Sequence, residues 1–121
     1  MSEMFEACYK IKNLNLSRFN TKKVTSMINM FNSCQNLKEL NLSSFDTKNV
    51  IYFHYMFMSC NNLENIDLSS FEIKGNCEML FGDCNNLKKI KINEKAFEKI
   101  KFQFKKDIEI IKEFIIKIKS N

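Results

Sequence analysis

The chain predicts an α/β fold, a short solenoid in which parallel strands and short helical returns stack coil upon coil and a C-terminal helical cap closes the stack. Three observations predict it: a fixed period in the mid-twenties, a strand-like alternation, and a three-and-four spacing in every repeat. The pair Met-Phe followed three residues later by Cys recurs as Met4-Phe5…Cys8, Met30-Phe31…Cys34 and Met56-Phe57…Cys60, then as Leu80-Phe81…Cys84. The steps between copies are 26, 26 and 24 residues, and the last is short because two residues are missing between Phe71 and Cys77. A period of this length marks repeats that cannot bury an apolar face alone and must stack on their neighbours.

Each repeat divides into a strand, a turn and a return. The columns Leu14, Leu40, Ile66, Ile90 and Leu16, Leu42, Leu68, Ile92 alternate with polar residues, as a strand buried on one face requires. A Ser-x-Phe turn follows at Ser17, Ser43 and Ser69 with Phe19, Phe45 and Phe71. Val24, Met27, Met30-Phe31 and Cys34 then sit three or four apart, the spacing of one face of a short helix.

These residues resemble a known family. The pattern MFxxCxxLxxLxLSxFxTxxVxxMxxMFxxC is similar to the BspA-like leucine-rich repeats, including the version in mycoplasma surface lipoproteins, over roughly residues 1 to 92. It departs from the commoner leucine-rich repeat, which carries Asn or Cys where Phe19, Phe45 and Phe71 stand. The resemblance implies a right-handed leucine-rich-repeat solenoid used for surface display, adhesion or partner binding, at the cell surface or secreted, with no enzymatic activity and no cofactor.

Residues 1–92 are thus read as the solenoid and residues 93–121 as a capping, amphipathic segment of the same domain. Met1 falls in the column of Met27, Phe53 and Cys77, so the chain enters the pattern inside a repeat. The expectation is a fragment of a longer protein, a late start, or a bare end that packs on another chain as an oligomer contact. The first residues, MSEMFEACYKIKNLNL, have no basic-then-apolar leader, and Cys8 follows no apolar stretch. No run of about 18 apolar residues marks a membrane span.

Charge is divided along the chain. Residues 1–87 hold 8 basic and 9 acidic side chains, and residues 88–121 hold 11 lysines against 5 acids, which together give the net +5. Asn93 is a natural N-cap with Glu94 in the first turn, and Phe97, Ile100 and Phe104 continue a helical stripe. Beyond Asp107 the isoleucines fit both helix and strand, and helix is the favoured reading. The principal role of this segment is a cap on the last coil. A second role is a basic amphipathic helix on an anionic membrane or acidic partner. Acids mixed among the lysines argue against nucleic acid.

Candidate sites are few, and none is catalytic. Cys8, Cys34, Cys60 and Cys84 form one column, whose parallel side chains suit buried thiols better than bridges, and no tight CxxC pair suggests zinc. His54, the only histidine, lies half a coil from Cys60, and the sequence offers no third group to orient them as a nucleophile pair. In the second copy, Ile51, Tyr52, His54 and Tyr55 should face outward where the first copy has Thr25, Ser26, Ile28 and Asn29. Tyrosines on an outer surface are typical of protein-partner contacts. The exposed strand face offers Asn15, Asn41 and Asp67, an amide-rich strip suited to a glycan or extended peptide, or to water alone. The leading function is a non-catalytic protein- or glycan-binding module, and the alternative is an intracellular scaffold.

Overall fold

The protein is described by a computed structural model covering residues 1–104 and 109–112. Strands β1 (Glu39–Asn41), β2 (Asn65–Leu68), β3 (Lys89–Ile92) and β4 (Glu109–Lys112) form one parallel four-stranded sheet in chain order. The register follows the repeat: Glu39 lies beside Asn65, Asn65 beside Lys89, and Lys89 beside Glu109. Leu40, Ile66 and Ile90 point into the core and are almost fully buried. The fold is therefore α/β with a small parallel sheet and little helix. Residues 14–16 of the first copy form no strand, although Leu16 is buried.

The returns are not helical, which corrects the reading of their spacing. Across the first gap between copies, the N–H groups of Glu3, Phe5 and Ala7 donate to the carbonyls of Ile28, Met30 and Asn32. Met27, Asn29, Phe31 and Ser33 donate to Tyr52, His54, Met56 and Met58, and Phe53, Tyr55, Phe57 and Ser59 donate to Asn76, Glu78, Leu80 and Gly82. The intervening N–H groups bend back three residues, as Met30 does to Met27, Asn32 to Asn29 and Cys34 to Phe31. A helix would spend every N–H inside its own segment. Here every second one is spent on the neighbouring copy, so the segment is a row of tight turns whose step imitates helical spacing. The cost is a left-handed backbone at Glu3, Ala7, Asn29, Ser33, Tyr55, Ser59, Met79 and Asp83, all non-glycine.

The inward residues of these turns fill the centre. Met27, Met30, Phe31 and Cys34 are fully buried, as are Phe53, Met56, Phe57 and Cys60. The rings of Phe5, Phe31, Phe57 and Phe81 form a stack with centroid separations of 5.5, 5.8 and 5.1 Å. Such offset pairs add to the apolar burial that drives the fold. At the corner between strand and return, the buried Thr21 hydroxyl donates to the Asp46 carbonyl (3.0 Å) and accepts from the Asp46 N–H (2.8 Å). Thr47 makes the same pair of bonds with Glu72. Neither buried hydroxyl is left unsatisfied. In the third copy the position is Ile73, which is buried without needing a partner.

After β3 the pattern changes. Asn93 caps helix α1 (Glu94–Ile100), its side-chain oxygen accepting from the Ala96 N–H at 2.9 Å. Its amide also donates to the carbonyls of Ser69 and Phe71 and ties the cap to the preceding copy. Helix α1 stops earlier than the Phe97–Ile100–Phe104 stripe suggests, giving way to a 3-10 turn at Lys101–Gln103 and extended backbone at Phe104. The Gln103 side chain then reaches the third return. Its oxygen accepts from the Leu80 N–H and its amide donates to the Cys77 carbonyl, each at 2.8 Å. The helix expected beyond Asp107 is corrected at Glu109–Lys112, which is strand β4. The Glu-Ile-Ile-Lys segment has the β-branched content of a strand, and β3 offers it a row of backbone partners. Ile108, Ile115 and Ile118, also placed on that helix, lie outside the described residues.

Close stacking leaves no room at Gly75. A Cβ there would lie 1.9 Å from the Ile51 carbonyl oxygen, whereas at Gly82 its nearest neighbour would be the end of the Met79 side chain at 3.3 Å. The Gly75→Ala variant should lose about 2–3 kcal/mol, because two backbones must separate. Gly82→Ala should stay within about 1 kcal/mol, because a flexible side chain gives way. Urea unfolding of both variants checks this, and equal stabilities would refute the close approach.

Candidate functional site

Two surfaces were expected to hold function, and the structure treats them differently. On the strand face, Asn41 ends β1, Asp67 is the last residue but one of β2, and Asn15 holds the matching position of the first copy. Their side-chain oxygens accept from the backbone N–H two residues on, at Ser17 (3.0 Å), Ser43 (2.9 Å) and Ser69 (2.9 Å). This is the turn chemistry that Asn and Asp provide where a chain leaves a strand. Asp67 also forms an ion pair with Lys91 at 3.8 Å, and the Asn65 amide reaches Glu39 at 3.5 Å. A shallow depression runs over Asn41, Asn65, Asp67, Lys89 and Lys91, with polar groups that are already engaged with one another. The repeated amides are explained by turns and ladder contacts within the chain.

The return face differs. Its spine is the column Ser26, Tyr52, Asn76, joined by parallel backbone bridges. Ile51 and Tyr52 are exposed at 52% and 47%, and Met79 at 45%, all large apolar side chains on or beside this spine. His54 lies between the tyrosines with its ring edge-on to both, at 6.1 Å from Tyr52 and 5.2 Å from Tyr55. His54 and Tyr55 are half-buried. The His54 Nδ1 atom is buried and makes no hydrogen bond among the described residues. Ile51 and Tyr52 face outward, whereas His54 and Tyr55, expected to do the same, are half-buried in ring contact, and Asn15, Asn41 and Asp67 lie at the strand side of the chain.

Tyr55 and Met79 carry a further cost. Both occupy the column of Glu3 and Asn29 and share its left-handed backbone, with φ of 59° and 48°. Asn tolerates that conformation, whereas a bulky side chain is strained there. Strained backbone concentrates where function requires a particular side chain. Sequence reasoning passed over Met79, although counting the short third copy back from Leu80 places it under Tyr55.

All five cysteines are free thiols. Three of them share one role. Cys34, Cys60 and Cys84 donate S–H bonds to the carbonyls of Phe5, Phe31 and Phe57 in the copy before, at 2.9, 3.1 and 2.9 Å. The column is a rung between copies, built from small buried hydrophobes that carry a weak donor. Burial raises the Cys34 thiol from 9.0 to about 11, and the adjacent Cys84 thiol together with burial raises Cys60 well above its ordinary value. Cys77 is only partly buried, unlike Met27 and Phe53 in its column. Among the described residues no three His, Cys, Asp or Glu side chains converge as a metal site, and no helix is long and apolar enough to cross a membrane.

Two outcomes follow. Because the folded thiol holds its proton more tightly than the unfolded one, the Cys34 contribution to stability is complete below about pH 9 and is lost as pH rises through about 11. Urea unfolding of Cys34→Ala should therefore weaken less steeply over that interval than the parent chain, and identical slopes would contradict the assignment. Tyr55→Asn should leave stability unchanged or raise it by up to about 1 kcal/mol, since backbone relief offsets the lost ring contact with His54. A loss above about 1 kcal/mol would mean that packing, not surface chemistry, holds the tyrosine.

No curated protein and no solved structure matches the chain. A family profile matches residues 1–114 and so takes in every repeat copy, α1 and β4. The chain belongs to the family described as "Mycoplasma protein of unknown function, DUF285".

Proposed function

We propose that the protein is a non-catalytic binding module of surface or adhesion type, built as a right-handed leucine-rich-repeat solenoid of the BspA-like kind. The repeat register and the inter-copy bonds support the solenoid reading. Helix α1, the Gln103 clamp and β4 act as its C-terminal cap: β4 takes the edge of β3 that a further copy would otherwise pair with, and Gln103 bridges the Leu80 N–H and the Cys77 carbonyl of the last return. The partner is a protein, received on the return face by Tyr52, His54 and Tyr55 with Ile51 and Met79 beside them. The observation that carries this reading is the exposure of Ile51, Tyr52 and Met79 beside the half-buried Tyr55, with Met79 and Tyr55 on left-handed backbone. A glycan on the strand face has less support, because the Asn15, Asn41 and Asp67 oxygens already serve the chain's own turns.

The second reading is an intracellular scaffold that uses the same surface. It is favoured by the thiol column, in which Cys34, Cys60 and Cys84 donate to carbonyls and form no bridges. A reducing compartment keeps thiols in that state. Counting thiols in denatured, unreduced protein isolated from its native cells separates the two: five free thiols favour the scaffold, and bridged cysteines favour the surface.

The binding surface is tested by a photo-crosslinking side chain placed at Tyr52 and, as a control, at Asn41. Capture of one defined, saturable protein species from Tyr52 and not from Asn41 is expected. Tyr55→Ser should reduce that capture at least about tenfold, the scale of a residue contributing more than 1 kcal/mol to an interface. Equal capture from both positions, or capture indifferent to Tyr55→Ser, sinks the proposal.

A further inference from the structure

We propose that the turn centred on Phe102 is a docking point for an anionic lipid surface, separate from the tyrosine face. Three phenylalanines lie close together in this part of the chain, and only one is turned outward. Phe97 and Phe104 stack on each other at 6.4 Å with rings 2° from parallel, and Phe104 continues onto Phe81 at 5.4 Å. Phe102 is 87% exposed, the most exposed large apolar side chain among the described residues.

Its surroundings are cationic. Lys95 and Lys99 lie one turn apart on α1, Phe102 follows in the 3-10 turn, and all three are exposed. Neither Lys95 nor Lys99 is in an ion pair among the described residues. Lys101 holds its ammonium 5.4 Å from the Phe102 ring centroid while paired with Glu98 at 2.7 Å, so the ring stands beside an ion pair. Residues 88–104 and 109–112 carry 7 lysines against 3 acids, while residues 1–87 are nearly neutral. Anionic headgroups present diffuse negative charge that scattered lysines can meet without matched geometry. One protruding aromatic ring enters the boundary between headgroups and acyl chains without a preformed pocket. An acidic protein partner fits less well, because interface anchors cluster centrally and fill pockets. With a single aromatic anchor, the attachment is shallow, reversible and salt-sensitive.

Co-sedimentation of the full chain with vesicles tests this. Phosphatidylcholine vesicles containing phosphatidylglycerol should carry the protein down, pure phosphatidylcholine vesicles should not, and added salt should release it. Phe102→Ser should lower the partition coefficient several-fold with no change in thermal midpoint, since the ring buries almost nothing in the fold. Lys99→Gln should lower partitioning about fivefold, the scale of one lysine near an anionic surface. Tyr52→Ser should leave it unchanged, so the outcome is independent of the tyrosine face. The proposal is overturned by failure to sediment with anionic vesicles, by equal sedimentation with neutral ones, or by unchanged partitioning of Phe102→Ser. It is also overturned by binding to a soluble polyanion such as heparin without binding to vesicles.

Discussion

Everything in this molecule depends on how the returns spend their backbone donors. Every second N–H leaves its own copy and finds a carbonyl in the next, and the alternate ones close tight turns within the copy. This pattern forbids a helix and fixes the stacking distance. It brings the Phe5, Phe31, Phe57 and Phe81 rings into one stack and sets each Cys thiol under the preceding carbonyl. A buried amide without a partner costs on the order of a few kcal/mol, so the ladder is held by the penalty for breaking it as much as by the bonds themselves. The left-handed residues, one every fourth position along a return, are the local strain that this arrangement tolerates.

The ladder also explains why the two faces of the stack carry different side chains. On the strand face, Asn and Asp oxygens terminate strands and the charged side chains meet across neighbouring copies, as Lys91 does with Asp67. That surface spends its polarity on itself. On the return face the backbone is already satisfied by neighbouring copies, so its outward side chains are free to vary without affecting the fold. The second and third copies place Ile51, Tyr52, Tyr55 and Met79 there, two of them on backbone that would suit Asn better.

The first and last copies differ in how they are packed. At the C-terminal side Gln103 inserts its amide where the Cys77-Leu80 turn would bond to itself, and β4 takes up the edge of β3. In the first copy Ile11, Leu14 and Phe19 are only partly buried, while their counterparts in the second and third copies are fully buried.

The sequence alone determined the register. The Met-Phe-Cys columns, the leucine alternation and the two-residue deletion before Cys77 set which residue lies beside which, because identical columns stack only when each inward position meets its own kind. It also determined that Ile51 and Tyr52 would face outward and that Asn93 would cap a helix. Tertiary structure alone decided the rest. Turn and helix share a three-to-four spacing, and only the direction of each N–H tells them apart, so the returns were legible as periodic but not as turns. Glu109–Lys112 is equally apolar on a helix or a strand, and the open edge of β3 decided it. The roles of Gly75 and Gln103 come from contacts with residues more than twenty positions away, which no local pattern records.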